Sequence, residues 1–113
     1  MSTSRTELVE RLLHFDAPLA PTLAALREFG WDCTEPLAIL DALSVRSVLQ
    51  RYLSGSLTAP DVEAWADAIE CRDDVDYSSF RDIIYELANP LLTRPLTLAT
   101  AQELLSHAHT NAP

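Results

Sequence analysis

The sequence predicts an all-α fold, a compact single-domain bundle of roughly five to seven short helices. Three observations lead there. Helix caps recur along the chain, each followed by apolar residues at spacings of three and four. Only two glycines occur in 113 residues, whereas sandwiches and barrels spend glycine on turns and bulges. No segment shows the strict alternation of a half-buried strand. The length sets one domain over residues 1–113, with 1–4 and 107–113 expected to fray. An apolar fraction of 48% supplies a core. A domain of this size buries well over half of its unfolded surface, so it stands without disulfide or metal.

The elements follow in order. Ser4 with Glu7 three residues later is a capping-box signature. Leu8, Val9, Leu12, Leu13 and Phe15 then keep helical spacing until Asp16, Ala17 and Pro18 break it. A second helix is expected over about residues 21–29, with Pro21 tolerated in its first turn and Gly30 supplying the left-handed stop. Thr34, Glu35 and Pro36 are read as opening a helical run with Leu37, Ile39, Leu40 and Leu43 apolar. A break near residues 41–44 then precedes a stretch carrying Val45, Val48, Leu49, Tyr52 and Leu53.

Thr58, Ala59, Pro60 and Asp61 form the clearest helix start. Threonine caps, proline fits the first turn, and the aspartate meets the positive end of the helix dipole. Val62, Trp65, Ala66 and Ile69 make its apolar stripe. A polar connection over residues 71–77 leads to a helix capped by Ser78 or Ser79, with Phe80, Ile83, Ile84 and Leu87 inward, stopped by Asn89 and Pro90. Thr97 caps a last helix containing Leu98, Ala101, Leu104 and Leu105. The expected core residues are Leu12, Leu26, Leu40, Leu49, Trp65, Ile69, Ile84, Leu87 and Leu104.

Charge is the strongest functional signal. The chain carries −9, and residues 61–86 hold nine acids against Arg72 and Arg81, so −7 of it sits in one quarter of the sequence. Glu63, Asp67 and Glu70 stack on one helical face at spacings of four and three, and Asp82 and Glu86 repeat the pattern on the next helix. Like charges at that spacing cost a few tenths of a kcal/mol per pair. With Asp73, Asp74 and Asp76 between the helices, these eight carboxylates are the candidate partner-binding residues. The face reads either as a solvated surface that keeps the protein soluble or as a docking surface for a basic protein.

Other chemistries find little support. Read as a calcium loop from Asp74, the sequence offers Asp76 and Ser78 in place. The glycine position holds Ser79, the final glutamate position holds Tyr85, and Glu86 falls one residue late. Cys33 and Cys71 have no neighbouring cysteine or histidine and read as free thiols. His14, His107 and His109 match no zinc spacing. Gly30 and Gly55 are solitary, which excludes a glycine-rich phosphate loop. Eight arginines in an acidic chain form no basic recognition face, so nucleic acid is not an expected partner. No run of about 18 apolar residues could span a membrane, and the polar residues 1–7 do not resemble a signal peptide.

The expected protein is therefore non-enzymatic, cytoplasmic and free of cofactors. Its function is expected to be acidic protein binding of the inhibitor or immunity type, neutralising a basic toxin or nuclease. The alternative is a helical adaptor or oligomerisation module with Trp31, Leu91 and Leu92 as a contact patch. An enzyme pairing Asp or Glu residues with a metal comes third.

Overall fold

A computed structural model describes residues 4–16, 18–29, 35–70 and 72–110, the last three by backbone only. Among them are six α-helices: α1 (Arg5–His14), α2 (Leu19–Arg27), α3 (Ala42–Leu53), α4 (Ala59–Ile69), α5 (Arg81–Ala88) and α6 (Leu98–Thr110). The all-α reading holds. All nine expected core residues are buried. Gly30, Trp31, Cys33, Thr34 and Cys71, to which the sequence assigned a helix stop, an anchor, a cap and free thiols, lie outside the described residues, as does the side chain of His109.

The caps explain where the helices begin. Ser4 Oγ accepts from the Glu7 amide at 3.2 Å. Thr58 and Asp61 form a reciprocal capping box, each side chain accepting from the other's backbone N–H. Thr97 Oγ1 accepts from the Thr100 amide at 3.2 Å. Two starts differ from expectation. Helix α2 begins at Leu19, because Pro18 is already set for a helix entry and Pro21 then falls within the first turn, where its missing N–H had no partner. Neither Ser78 nor Ser79 caps α5. A 3₁₀ turn over Ser78–Phe80 precedes it, and Asp76 Oδ1 accepts from both the amide and the hydroxyl of Ser78.

Residues 37–40 are the clearest correction. The sequence predicts a helix there, and the chain is extended. Strand β1 (Ala38–Ile39) pairs in parallel with β2 (Val75–Asp76), and Leu37 N and Leu40 N donate to the carbonyls of Asp74 and Asp76 at 2.8 and 2.9 Å. Ala38 and Leu40 are buried while Ile39 is exposed, a period of two too short to separate from a helical turn by sequence. Asp41 ends the strand by capping α3 through the Ser44 amide at 2.9 Å, which confirms the expected break.

Helix α3 packs on α6, α4 on α5 and α1 on α2, with β1 and β2 joining the two halves of the chain. Among the described residues Trp65 is the largest wholly buried side chain. Its indole N–H donates to Leu12 O at 2.8 Å, so α4 is tied to the last turn of α1 through the core. That last turn closes with Phe15 in the left-handed region (φ 53°), a conformation that strains a residue with a Cβ. Arg51 of α3 offsets the strain. It donates to the carbonyls of Phe15 and His14 at 2.9 and 2.8 Å, and its guanidinium lies 5.6 Å from the Phe15 ring centroid.

Candidate functional site

The nine carboxylates of residues 61–86 occupy different environments. Asp61 belongs to the capping box. Its carboxyl sits below the ordinary value because it accepts first from the Thr58 backbone and then from the Thr58 side chain. Asp76 is lowered by its Ser78 hydrogen bonds. Glu70 is half-buried, with each oxygen 3.3 Å from Asn89 Nδ2, and so links the ends of α4 and α5. Glu63, Asp67, Asp73 and Asp82 are exposed, as a docking face requires.

Asp74 departs from expectation. The sequence predicts an exposed docking residue, and Asp74 is 1% exposed. Arg72 Nε and Nη2 donate to its two oxygens at 2.8 and 3.0 Å, and Arg5 Nε donates at 3.1 Å. Burial opposes the charge, but the hydrogen bonds and positive charge of Arg72, and then of Arg5, outweigh it and hold the carboxyl below its usual range. Arg72 itself is buried. This triad ties the start of α1 to the β2 approach, and Arg5 Nη1 adds a long contact of 3.5 Å to Phe29 O. Asp74 is a structural residue, unavailable to a partner.

A cleft of about 200 Å³ opens between the start of α4, the end of α5, residues 90–96 and α6. Pro60, Leu87, Pro90 and Leu96 supply apolar wall, and Glu63 and Glu86 face into the same space. The connection over residues 90–96 is held in place at several points. Thr93 Oγ1 donates to the carbonyls of Glu86 and Asn89 at 3.1 and 2.9 Å, and Tyr52 Oη donates to Leu96 O at 3.2 Å. Arg94 completes the lining. Its Nε lies 3.3 Å from Glu86 Oε2 and its Nη1 donates to Glu103 at 2.8 Å. That second bond is the main reason its proton is held more tightly than usual and the Glu103 carboxyl sits low. Glu86 Oε2 is closed off from solvent and accepts no hydrogen bond among the described residues.

Asp73 and Asp76 line a different depression with Arg72, Tyr77 and Arg81, which shares no residue with the cleft. The structure therefore brings Glu63 and Glu86 together and places Asp73 and Asp76 elsewhere. Sequence reasoning missed Arg94 as the partner of Glu86, and Leu96 and Thr100 as lining of the same cleft. Only the fold of the proline-bounded connection unites them, and no fixed spacing announces it.

Among the described residues, no group of three or more His, Cys, Asp or Glu side chains could hold a metal ion, and no helix is long and apolar enough to cross a membrane. Compared with known proteins, the chain matches no family model, no curated protein and no solved structure.

Proposed function

We propose that the protein is a non-enzymatic acidic docking domain that binds a basic protein in the cytoplasm, of the inhibitor or immunity type that neutralises a basic toxin or nuclease. The observation that carries this reading is the surplus of exposed carboxylate. Glu63, Asp67, Asp73 and Asp82 stand in solvent within a stretch of net charge −7, while Asp74, the one deeply buried acid among the described residues, has its own two arginines. Such a field accelerates encounter with a cationic surface and loses its reach as salt rises, since the Debye length falls to about 10 Å at 0.1 M.

The experiment is partner capture from a lysate of the source organism at low and high salt. It uses wild type and the triple variant Asp67→Asn, Asp73→Asn, Asp82→Asn. The expected outcome is a basic protein recovered by wild type at low salt, and recovered poorly at high salt or by the variant. Equal recovery in all four conditions would sink the docking reading and leave the carboxylates as a solubility feature.

One observation favours an oligomerisation module as the second reading. Leu91 is 99% exposed, Leu92 73% and Leu98 58%. Sedimentation of wild type against Leu91→Ser, Leu92→Ser tests it: an oligomer that the variant dissolves supports that reading, and a monomer in both cases removes it.

A further inference from the structure

We propose that the cleft between α4, α5, residues 90–96 and α6 receives one long basic side chain, an arginine or a lysine, of the protein that docks on the acidic surface. The inference rests on the docking reading for the source of that side chain, and on the cleft for everything else. Its volume of about 200 Å³ lies below the roughly 300–1,000 Å³ of small-molecule and cofactor sites, which suits a single side chain. Its composition suits a side chain with an aliphatic stem and a charged head. Pro60, Leu87, Pro90 and Leu96 offer the stem apolar contact, while Glu63 and Glu86 offer the head negative charge.

The charge balance around the cleft points the same way. Among the described residues Arg94 is the one cation lining it, against the two carboxylates of Glu63 and Glu86, and it is shared between Glu86 and Glu103, which stands outside the lining. Arg94 is also bound unequally. It donates a hydrogen bond to Glu103 at 2.8 Å but meets Glu86 only as an ion pair at 3.3 Å, and Glu86 Oε2 remains without a hydrogen bond. An incoming cation can therefore meet the part of the Glu86 side chain that stays in solvent while Arg94 keeps its better partner. The rigid parts of this receptor are already in place, because Thr93 and Tyr52 hold the connection that forms its wall.

The test uses butylguanidinium and butylammonium as stand-ins for the two side chains, with neutral pentanamide as the control, followed by amide chemical shifts in NMR titrations. Both cations are expected to move the amides of Glu63, Leu87, Leu96 and Thr100 in one saturable process, and pentanamide is expected not to. Glu86→Gln should weaken the process at least tenfold, and Arg94→Gln, which frees the carboxylates, should strengthen it. Thr100→Phe, which narrows the cleft without changing charge, should abolish it while leaving the melting temperature within a few degrees of wild type. Each variant is first checked for a wild-type amide spectrum away from the cleft. A fold-disrupted Thr100→Phe is replaced by Thr100→Val, whose near-equal volume should preserve binding.

Shifts spread over Asp67, Asp73 and Asp82 without saturation, or saturable shifts indifferent to Glu86→Gln and Arg94→Gln, overturn the proposal. The capture experiment above neutralises only residues outside the cleft, so the two failures separate. A lost salt-sensitive partner with an intact titration faults the broad acidic field, and a flat titration with salt-sensitive capture faults the cleft alone.

Discussion

Asp74 and Glu86 come from one acidic stretch, and the fold treats them in opposite ways. Asp74 is 1% exposed and takes three charge-assisted hydrogen bonds from two arginines. Glu86 keeps 22% of its side chain in solvent and has one ion pair at 3.3 Å, to an arginine that is better bonded elsewhere. The buried site sets two arginines on one carboxylate, whereas the cleft lining holds Glu63 and Glu86 beside Arg94. A carboxylate can be withdrawn from water only where fixed donors replace its hydration. Where donors are fewer, as at Glu86, part of the side chain stays in solvent.

The largest expected effect separates the two sites directly. Asp74→Ala leaves Arg72 and Arg5 facing one another without their shared anion, and breaking a buried pair in this way costs about 3–5 kcal/mol. Urea unfolding measures it. Trp65→Ala is expected to lose a similar amount, about 3–5 kcal/mol, through a core cavity and the lost bond to Leu12 O. If Asp74→Ala melts like wild type, the triad is ornamental and the contrast with Glu86 disappears.

Acid sharpens the same comparison. The folded-state carboxyl of Asp74 lies below its unfolded value, so the unfolded chain binds that proton more readily. The stabilisation from this group is therefore complete above the unfolded value of about 3.9 and is lost as pH falls through the lower folded value. The stability gap between wild type and Asp74→Ala is expected to be widest near neutral pH and to narrow in that acid range, read by urea midpoints across the pH series. A gap independent of pH would mean that the variant acts through packing and not through charge.

Local chemistry was legible in the sequence and long-range pairing was not. Ser4, Thr58 and Thr97 could be read as caps because a cap and its target lie three residues apart, whereas the return bond from the Thr58 amide to Asp61, read only as a charge at the helix dipole, was not foreseen. Trp65 and Ile69 could be placed in the core by helical phase. Residues 37–40 could not be assigned correctly, because four residues of apolar character fit a strand or a helical turn equally well until β2 is positioned beside them. Asp74 was indistinguishable from Asp73 and Asp76. What buries it is Arg5, 69 positions away, meeting the nearby Arg72 across one carboxylate. Glu86 carried no sign of its cleft, since Arg94 reaches it only after the chain turns at Pro90.

A smaller effect is expected at Arg51. Its two bonds to the carbonyls of His14 and Phe15 satisfy the end of α1 and hold a strained residue. Charged hydrogen bonds of this kind contribute about 1.5–3 kcal/mol, so Arg51→Ala should fall in that range by urea unfolding. Arg51→Lys, lacking the planar fork, should recover only part of the loss. Full recovery by lysine would reduce the contact to a charge near the end of the helix dipole.

The smallest effect is expected at Glu63, and its smallness is informative. Glu63 is exposed and stands four residues before Asp67 on α4, so Glu63→Ala removes a like-charge contact worth a few tenths of a kcal/mol. Apart from lining the cleft, the carboxylate has no hydrogen bond or ion pair among the described residues to lose. Stability should thus be unchanged or slightly higher, with the difference shrinking at 1 M salt, where the Debye length of about 3 Å screens the pair. Paired melting curves at low and high salt measure this. A loss of more than about 1 kcal/mol, as for a typical internal hydrogen bond, would place Glu63 with Asp74 among the structural acids and remove it from the surface offered to a partner. A neutral result leaves it as a carboxylate whose charge the fold tolerates without using, unlike Glu86, which pairs with Arg94.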